Sequence, residues 1–248
     1  MTIDYPTETI GLRQLWKEAF GDSDAFLDSF FRQGYNPRRS RCIRKDGTVA
    51  AALYWFDCSF TGKKIAYLYA VATAVSHRGQ GLCRTLMADT HELLKNQGYA
   101  GAILVPGEES LFRFYGAMGY QTIACAKHFH CTAADFATAV TVLDTDAYAA
   151  RRRQLLPEHG VLQEGENLAF LSEICGLYGG DGWVMAAAMD DFTFTAMEFL
   201  GNTAQIPGIL TALGKNIGIF RAPGNQPFAM YLPLDGSTAP SYFGLPFD

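Results

Sequence analysis

This chain lacks the run of roughly 18 apolar residues that a membrane-spanning helix needs, so no membrane partner is expected. Its first residues show no basic stretch followed by an apolar core, so no secretory signal is expected either. Charge is sparse: charged residues make up 18% of the chain, and the formal net charge is −5. Nucleic-acid-binding domains usually carry a basic surplus, so nucleic acid is not an expected partner. The six cysteines, at 42, 58, 83, 125, 131 and 175, form no Cys-x-x-Cys pair. That disfavours the common zinc and redox spacings, and no metal is expected. They read as reduced thiols, mostly small buried apolar groups, in a cytoplasmic protein, where disulfides are rare.

What is present is apolar. Hydrophobic residues make up 49% of the 248, enough to bury a sizeable core and too many for a disordered chain. The length suits one large domain or two small ones. Residues 9–34 read as two helices, with Thr9 capping the first, Gly21 ending it, and Asp22 or Ser23 capping the second. Three strands follow, 40–45, 48–60 and 64–75, joined by turns at Asp46-Gly47 and Thr61-Gly62-Lys63. The third strand holds no charge from Ile65 to Val75, so it reads as central and covered on both sides. Alternation along it places Tyr67, Tyr69, Val71 and Thr73 on one face and Ala66, Leu68, Ala70 and Ala72 on the other. Next come a helix from 81 to 98, a strand at 101–105, a short helix at 111–118 capped by Ser110, and a strand at 120–131.

After Thr132 the composition shifts, and the predicted domains are 1–132 and 133–248. Residues 135–156 read as an Ala-rich helix whose end exposes Arg151-Arg152-Arg153, and 167–178 as a second helix. A turn at Gly179-Gly180-Asp181-Gly182, a strand at 183–189, a tight turn at Asp190-Asp191 and a strand at 192–200 follow. Then come a helix at 205–213 and strands at 217–221, 227–232 and 242–247. The strand-helix-strand order of 64–105 thus recurs, shortened, at 192–221. Glu198 stands inside an apolar strand, either as a buried carboxylate or as an outward-facing one.

The most informative segment is Val75-Ser76-His77-Arg78-Gly79-Gln80-Gly81-Leu82-Cys83-Arg84, which joins the central strand to a helix. A turn there converges backbone N–H groups at a helix start, where they and the helix dipole can hold an anion. Gly79 and Gly81, with no Cβ, let the backbone approach a diphosphate closely. The turn carries no Gly-Lys-Ser/Thr and is not Gly-x-Gly-x-x-Gly, which makes the common nucleotide folds poor competitors.

Arg78-Gly79-Gln80-Gly81-Leu82-Cys83 resembles the Arg/Gln-x-x-Gly-x-Gly/Ala loop of the GCN5-related N-acetyltransferases (GNAT). Pro106-Gly107-Glu108-Glu109-Ser110-Leu111-Phe112-Arg113-Phe114-Tyr115-Gly116-Ala117-Met118-Gly119-Tyr120 resembles that family's second motif, a short Tyr-bearing helix ending in Gly and an aromatic. The resemblance covers roughly residues 1–131, and the larger layout is similar to the Eis-type acetyltransferases. Cys83 departs from the usual Gly or Ala, but it is small and keeps its N–H.

The resemblance implies an α/β (α+β) GNAT fold with a mixed central sheet flanked by helices, plus a smaller, degenerate GNAT-like C-terminal half. It implies acetyl-CoA as cosubstrate, with the diphosphate on the amides of Arg78, Gly79, Gln80, Gly81, Leu82 and Cys83. The pantetheine arm would pair with backbone groups of Val71, Ala72 and Thr73, where the central strand splays from the next one. Ser110 joins the cofactor-binding set. A backbone N–H near Ala72 would stabilise the oxyanion, and Tyr115 would protonate the departing thiolate; from residue type alone Tyr115 also reads as a core residue. The central strand contains no carboxylate, so the base is open among Asp57, Glu108, Glu109, His128 and the Asp248 carboxylate. Tyr54, Trp55, Tyr67 and Tyr69 are candidates to line the acceptor pocket or to sit in the core. The expected activity is direct acetyl transfer to a primary amine of a small molecule or protein, by a monomer or homodimer. The alternative is a non-catalytic acyl-CoA-binding sensor or subunit.

Overall fold

The computed structural model describes residues 2–189 and 194–247. The turn read at Asp190-Asp191, the start of the strand read at Phe192, and Asp248 lie outside the described residues. The chain divides into two compact units, Met1–Gln121 with Met230–Ala239 and Thr122–Ala229 with Pro240–Asp248.

The first unit opens with β1 (Thr2–Asp4), α1 (Ile10–Phe20), α2 (Asp24–Ser29), a π-helical turn (Phe30–Gly34) and a 3-10 turn (Pro37–Arg39). Gly21 ends α1 in the left-handed region, φ 76°, and its N–H donates to the Lys17 carbonyl. Ser23 caps α2 by accepting from the Phe26 N–H at 3.2 Å. Thr9 holds the N-cap position of α1, but its side chain makes no cap bond. The strands β2 (Ser40–Lys45), β3 (Thr48–Phe60) and β4 (Lys63–Thr73) are joined at Asp46-Gly47 and Thr61-Gly62, all four in positive φ, as tight hairpins require. Next come α3 (Leu82–Asn96), β5 (Gly101–Leu104) and α4 (Glu109–Gly116).

This unit's sheet runs β1-β2-β3-β4-β5, and β5 also pairs antiparallel with Met230–Pro233. Among the described residues of this unit, only β4 and β5 are parallel, through Ile65↔Gly101, Ala66↔Ala102 and Tyr67↔Ile103. Among the described residues the two strands share no pair beyond Tyr67. One sheet face packs Leu53, Trp55 and Leu68 against Leu86, Met87 and Leu94 of α3 and Tyr115 of α4. The other packs Tyr54, Phe56 and Tyr69 in ring contact with Phe30, and Trp16 against Tyr54 and Tyr69.

The alternation read along β4 holds to Tyr69 and then breaks. The β3–β4 register jumps from Tyr54↔Tyr69 to Ala52↔Ala72, so Ala70 and Val71 together oppose Leu53. Ala70 has φ 48°, the left-handed conformation of a bulge residue. An extra residue in a period of two exchanges the faces. Val71 therefore packs with the α3 and α4 cluster that holds Leu68, not on the Tyr67 and Tyr69 face.

The second unit contains β6 (Gln121–Thr132), β7 (Thr141–Val142), α5 (Thr145–Leu155), α6 (Glu166–Ile174), β8 (Cys175–Gly180), β9 (Trp183–Met189), β10 (Phe194–Gly201), α7 (Ile206–Ala212) and most of β11 (Ile217–Pro233), whose last residues, from Met230, belong to the first unit. Its sheet order is β11-β10-β9-β8-β7, and β6 also pairs with β11. That pairing accounts for the division falling at the head of β6 and not at Thr132. β10 and β11 are parallel through Phe194↔Gly218, Thr195↔Ile219 and Ala196↔Phe220. The strand-helix-strand order read twice in the sequence thus forms a parallel crossover in both units, three pairs long each time.

Several local readings change. Residues 135–144 are not helical, because their backbone bonds elsewhere: the Thr138 N–H donates to the Gly208 carbonyl and the Leu143 N–H to Leu177. Asp144 caps α5 instead, accepting from the Ala147 N–H at 2.8 Å. Cys175–Gly180 pairs with β9 and does not extend the preceding helix. Tyr242–Phe247 is not a strand; among the described residues it makes only the bridge Gly160↔Tyr242. It is nonetheless buried, with Phe243 and Leu245 fully covered and Gln163 bonded to both the N–H and the carbonyl of Leu245. Arg152 is also buried, at 2% exposure, against the expected solvated triplet. It forms a bidentate pair with Glu198, 2.6 and 2.9 Å, and Tyr148 and Tyr242 donate to the same carboxylate at 3.3 and 3.0 Å. Glu198 is thus an inward carboxylate with partners on both oxygens.

Candidate functional site

The bulge and the end of the β4–β5 pairing shape a cleft in the first unit. β4 leads through a 3-10 turn, Val75–His77, into the glycine loop. Gly79 and Gly81 have φ 75° and 77°, and a Cβ built at either would meet nothing within 4 Å. Gly81 is the N-cap of α3; no side chain caps it, and the first turn carries no acidic residue. The leading N–H groups of a 15-residue helix are therefore available to an anion. The loop is braced from outside: the Glu18 carboxylate accepts from the Val75 N–H at 2.7 Å, and Lys45 Nζ donates to Gln80 Oε1 at 2.7 Å. Arg78 Nε donates to the Thr73 carbonyl at 3.2 Å, which ties the loop back to β4.

Two cavities meet here. One, about 330 Å³, is lined by Thr73, Arg78, Gly79, Gly81, Leu82, Cys83 and the loop's flanking residues, with Phe114 of α4. The other, about 260 Å³, is lined by Val71, Ala72, Thr73, Arg78, Cys83 and Tyr115, with Ala19, Phe20, Leu111 and Phe114. Thr73, Arg78, Cys83 and Phe114 belong to both. The structure so brings together nine of the eleven residues singled out in the sequence. Gln80 and Ser110 line neither cavity. Ser110 is not a helix cap: Glu108 occupies that position, and the Ser110 hydroxyl donates to the Glu108 carboxylate. Leu111, Phe114, Ala19 and Phe20 were missed. Phe114 adjoins Tyr115 in the motif and could have been read from it; Ala19 and Phe20 arrive from the distant end of α1.

Tyr115 is 7% exposed, and its ring lies edge-on to Phe114 and Tyr120, with centroids 5.3 and 5.8 Å away. Tyr120 is in turn hydrogen-bonded to His91 Nε2 at 2.8 Å, and burial lowers the His91 pKa to about 4. No hydrogen-bond partner of the Tyr115 hydroxyl is found among the described residues. Burial, and secondarily the nearby Cys83 thiol, raises the Tyr115 pKa well above the ordinary phenol range, so it holds its proton at neutral pH. Burial pushes the Cys83 thiol up to about 11, which makes it a neutral wall of the cleft.

The other candidates sit elsewhere. Asp57 accepts from Tyr99 at 2.5 Å and pairs with Arg39 and Lys64 at 3.2 and 2.9 Å, so two cations already hold it. His128 Nε2 accepts from Arg221 Nε at 3.0 Å in the second unit. Tyr54, Tyr67 and Tyr69 are buried in the ring cluster, and Trp55 donates to the Tyr99 hydroxyl at 3.1 Å; none lines either cavity. Among the described residues no group of three or more His, Cys, Asp or Glu is placed to hold a metal, and no helix is long and apolar enough to cross a membrane.

Among the described residues, the second unit's crossover offers no comparable site. Asn202 accepts from the Ala204 N–H at 3.0 Å in the β10–α7 connection, α7 has only seven residues, and Arg221 donates to the Met197 carbonyl at 3.1 Å beside the crossover.

Compared with known families, residues 6–123 match the acetyltransferase (GNAT) domain. Comparison with curated protein sequences gives no match. Among solved structures, the chain is similar to a GCN5-related N-acetyltransferase from Kribbella flavida, with 18% identity over 94% of this chain and 71% of that one, TM-score 0.71. It is similar to Eis1 from Mycobacterium abscessus, with 11% identity over 95% and 74%, TM-score 0.66. A tandem GNAT protein of clavulanic acid biosynthesis matches 96% of this chain and 99% of its own at 10% identity, TM-score 0.55. At such identities the likeness is one of fold, and it spans both units.

Proposed function

We propose that this chain, whose residues 6–123 match the acetyltransferase (GNAT) domain, belongs to that family and transfers an acetyl group from acetyl-CoA directly to a primary amine of a small molecule or protein. One observation carries the reading: the open helix start at Gly81 and the hydroxyl-bearing Tyr115 line one joined cleft, with Thr73, Arg78 and Cys83 common to both ends. The cleft fits the cosubstrate. The N–H groups of Gly79 to Cys83 and the Arg78 charge suit a diphosphate, and β4 beyond Tyr67, free of β5, offers backbone groups to an amide-rich arm. When bound, acetyl-CoA supplies the acyl group as an activated thioester. The chain then has two tasks. Tyr115 holds a proton at its hydroxyl oxygen for the departing thiolate. A backbone N–H near Ala72 is the candidate donor to the charge that develops on the carbonyl oxygen. A cytoplasmic location belongs to the same reading.

A second reading, a non-catalytic acyl-CoA-binding subunit, draws on one feature: among the described residues, nothing lining the Tyr115 cavity is a carboxylate or imidazole. Calorimetry with acetyl-CoA tests the site, and thiol release over a panel of primary amines tests turnover. Binding without turnover on any amine would favour the second reading; no binding would remove both.

A further inference from the structure

The side chain at the end of β4 is not used by the reaction as described. The Thr73 Oγ1 atom is buried and has no hydrogen-bond partner among the described residues. The residue's carbonyl is engaged, accepting from Arg78 Nε, but its hydroxyl is not. A buried hydroxyl without a partner costs about 1–3 kcal/mol, and each such group calls for an explanation. Other orphaned atoms exist, on Arg44, Trp183 and Gln205 among them, but none of those residues lines the cleft.

Its place in the fold supplies the explanation. Without the bulge at Ala70, alternation would put Thr73 on the Tyr67 and Tyr69 face, under α1 and α2. With it, Thr73 lines a wall shared with Gly81, Leu82 and Cys83 of the loop and Phe114 of α4. Thr73 also lines the cavity that ends at Tyr115, so it stands where the two cavities meet. A molecule with its diphosphate on the loop and its thioester at Tyr115 passes Thr73 with the segment between them. In coenzyme A that segment is the pantetheine arm, whose amides and hydroxyl are hydrogen-bonding groups.

We propose that the Thr73 side-chain hydroxyl is a selectivity contact of this chain, hydrogen-bonding a polar group of the pantetheine arm next to the diphosphate. This contact is distinct from the backbone pairing of the same strand, and it rests on the acyl-CoA reading above. A free nucleotide diphosphate would meet the loop but not this hydroxyl, so Thr73 separates coenzyme A thioesters from the other nucleotides in a cell.

The test measures affinity by calorimetry for coenzyme A and for 3′-phospho-ADP, its nucleotide half, with the parent, Thr73→Val, Thr73→Ala and Thr73→Ser proteins, and records the ligand-free melting temperature of each. Thr73→Val keeps the shape and removes the hydroxyl. It should bind coenzyme A about tenfold more weakly, the loss of one hydrogen bond, and 3′-phospho-ADP within about twofold of the parent. Thr73→Ala should show the same selective loss, and Thr73→Ser should recover most of the affinity. The ligand-free Thr73→Val protein should melt no lower than the parent, because an orphaned hydroxyl has gone. Unchanged coenzyme A affinity in both Val and Ala variants overturns the contact. So does an equal loss for both ligands, which would assign Thr73 to shaping the loop. A parent protein that binds neither ligand fails the acyl-CoA reading itself, a result distinct from a parent that binds and a variant that binds equally well.

Discussion

Replacing Tyr115 with Phe removes a single oxygen and leaves the ring between Phe114 and Tyr120. A buried phenol with a good partner loses about 1 kcal/mol of stability on this change. The Tyr115 hydroxyl has no such partner among the described residues, so the variant should unfold within about 0.5 kcal/mol of the parent. Its affinity for acetyl-CoA should be unchanged, since the phosphate-facing amides lie on the loop. Turnover should fall by about 100-fold or more, the usual share of a positioned general acid, equivalent to roughly 3 kcal/mol of barrier. Burial raises the Tyr115 pKa, so the proton remains bound on the alkaline side. Parent turnover should therefore show no loss from Tyr115 ionisation between pH 7 and about 10. Thiol release under saturating acetyl-CoA, paired with calorimetric affinity, reads both effects. Equal turnover in variant and parent would remove Tyr115 from the chemistry, and a matching loss of cofactor affinity would make it a packing residue.

Gly81→Glu puts a carboxylate and a side chain in left-handed backbone at the mouth of the loop; calorimetry should show acetyl-CoA affinity falling at least about tenfold, and unchanged affinity would refute the diphosphate site. Glu198→Ala strands the Arg152 guanidinium in a buried setting and should cost about 3–5 kcal/mol in urea unfolding, whereas the double variant Arg152→Met with Glu198→Met should be far milder; equal costs would show that the loss was one of packing. His91 titrates at about 4 when folded against about 6.5 unfolded. The unfolded chain takes its proton first, so this contribution is complete above about pH 6.5 and is lost as pH falls toward 4. It amounts to about 3 kcal/mol at most, and His91→Gln should flatten the acid limb of a stability–pH curve.

The buried Arg152–Glu198 pair gives the second unit a role that its missing loop does not. Tyr242 donates to Glu198, and a Cβ at Gly244 would collide with the same carboxylate, so this ion pair receives the segment 240–247. A salt bridge so placed contributes little net stability against an apolar substitute, but it accepts only a segment that brings a donor and leaves out a side chain.

Local chemistry fixed much of this protein in advance. Asp46-Gly47 and Thr61-Gly62 encode hairpins because their positive φ matches strand twist, and Gly21 and Ser23 encode helix ends because they satisfy nearby backbone groups. The glycine loop and the Tyr115 helix were legible for the same reason: their conformational demands are met within a few residues. What depended on distant partners was not. Alternation cannot register a single inserted residue, so the bulge that sends Val71 and Thr73 to the α3 face appears only once β3 has set the register. Residues 135–144 carry helix-forming alanines, yet their N–H groups go to α7 and β8. Arg152 lies in a basic triplet that reads as solvated, until Glu198, 46 positions away, draws it inside. Periodicity records the nearest neighbours in the chain, whereas register, burial and the closing of a cleft are settled by residues that meet only after the chain has folded.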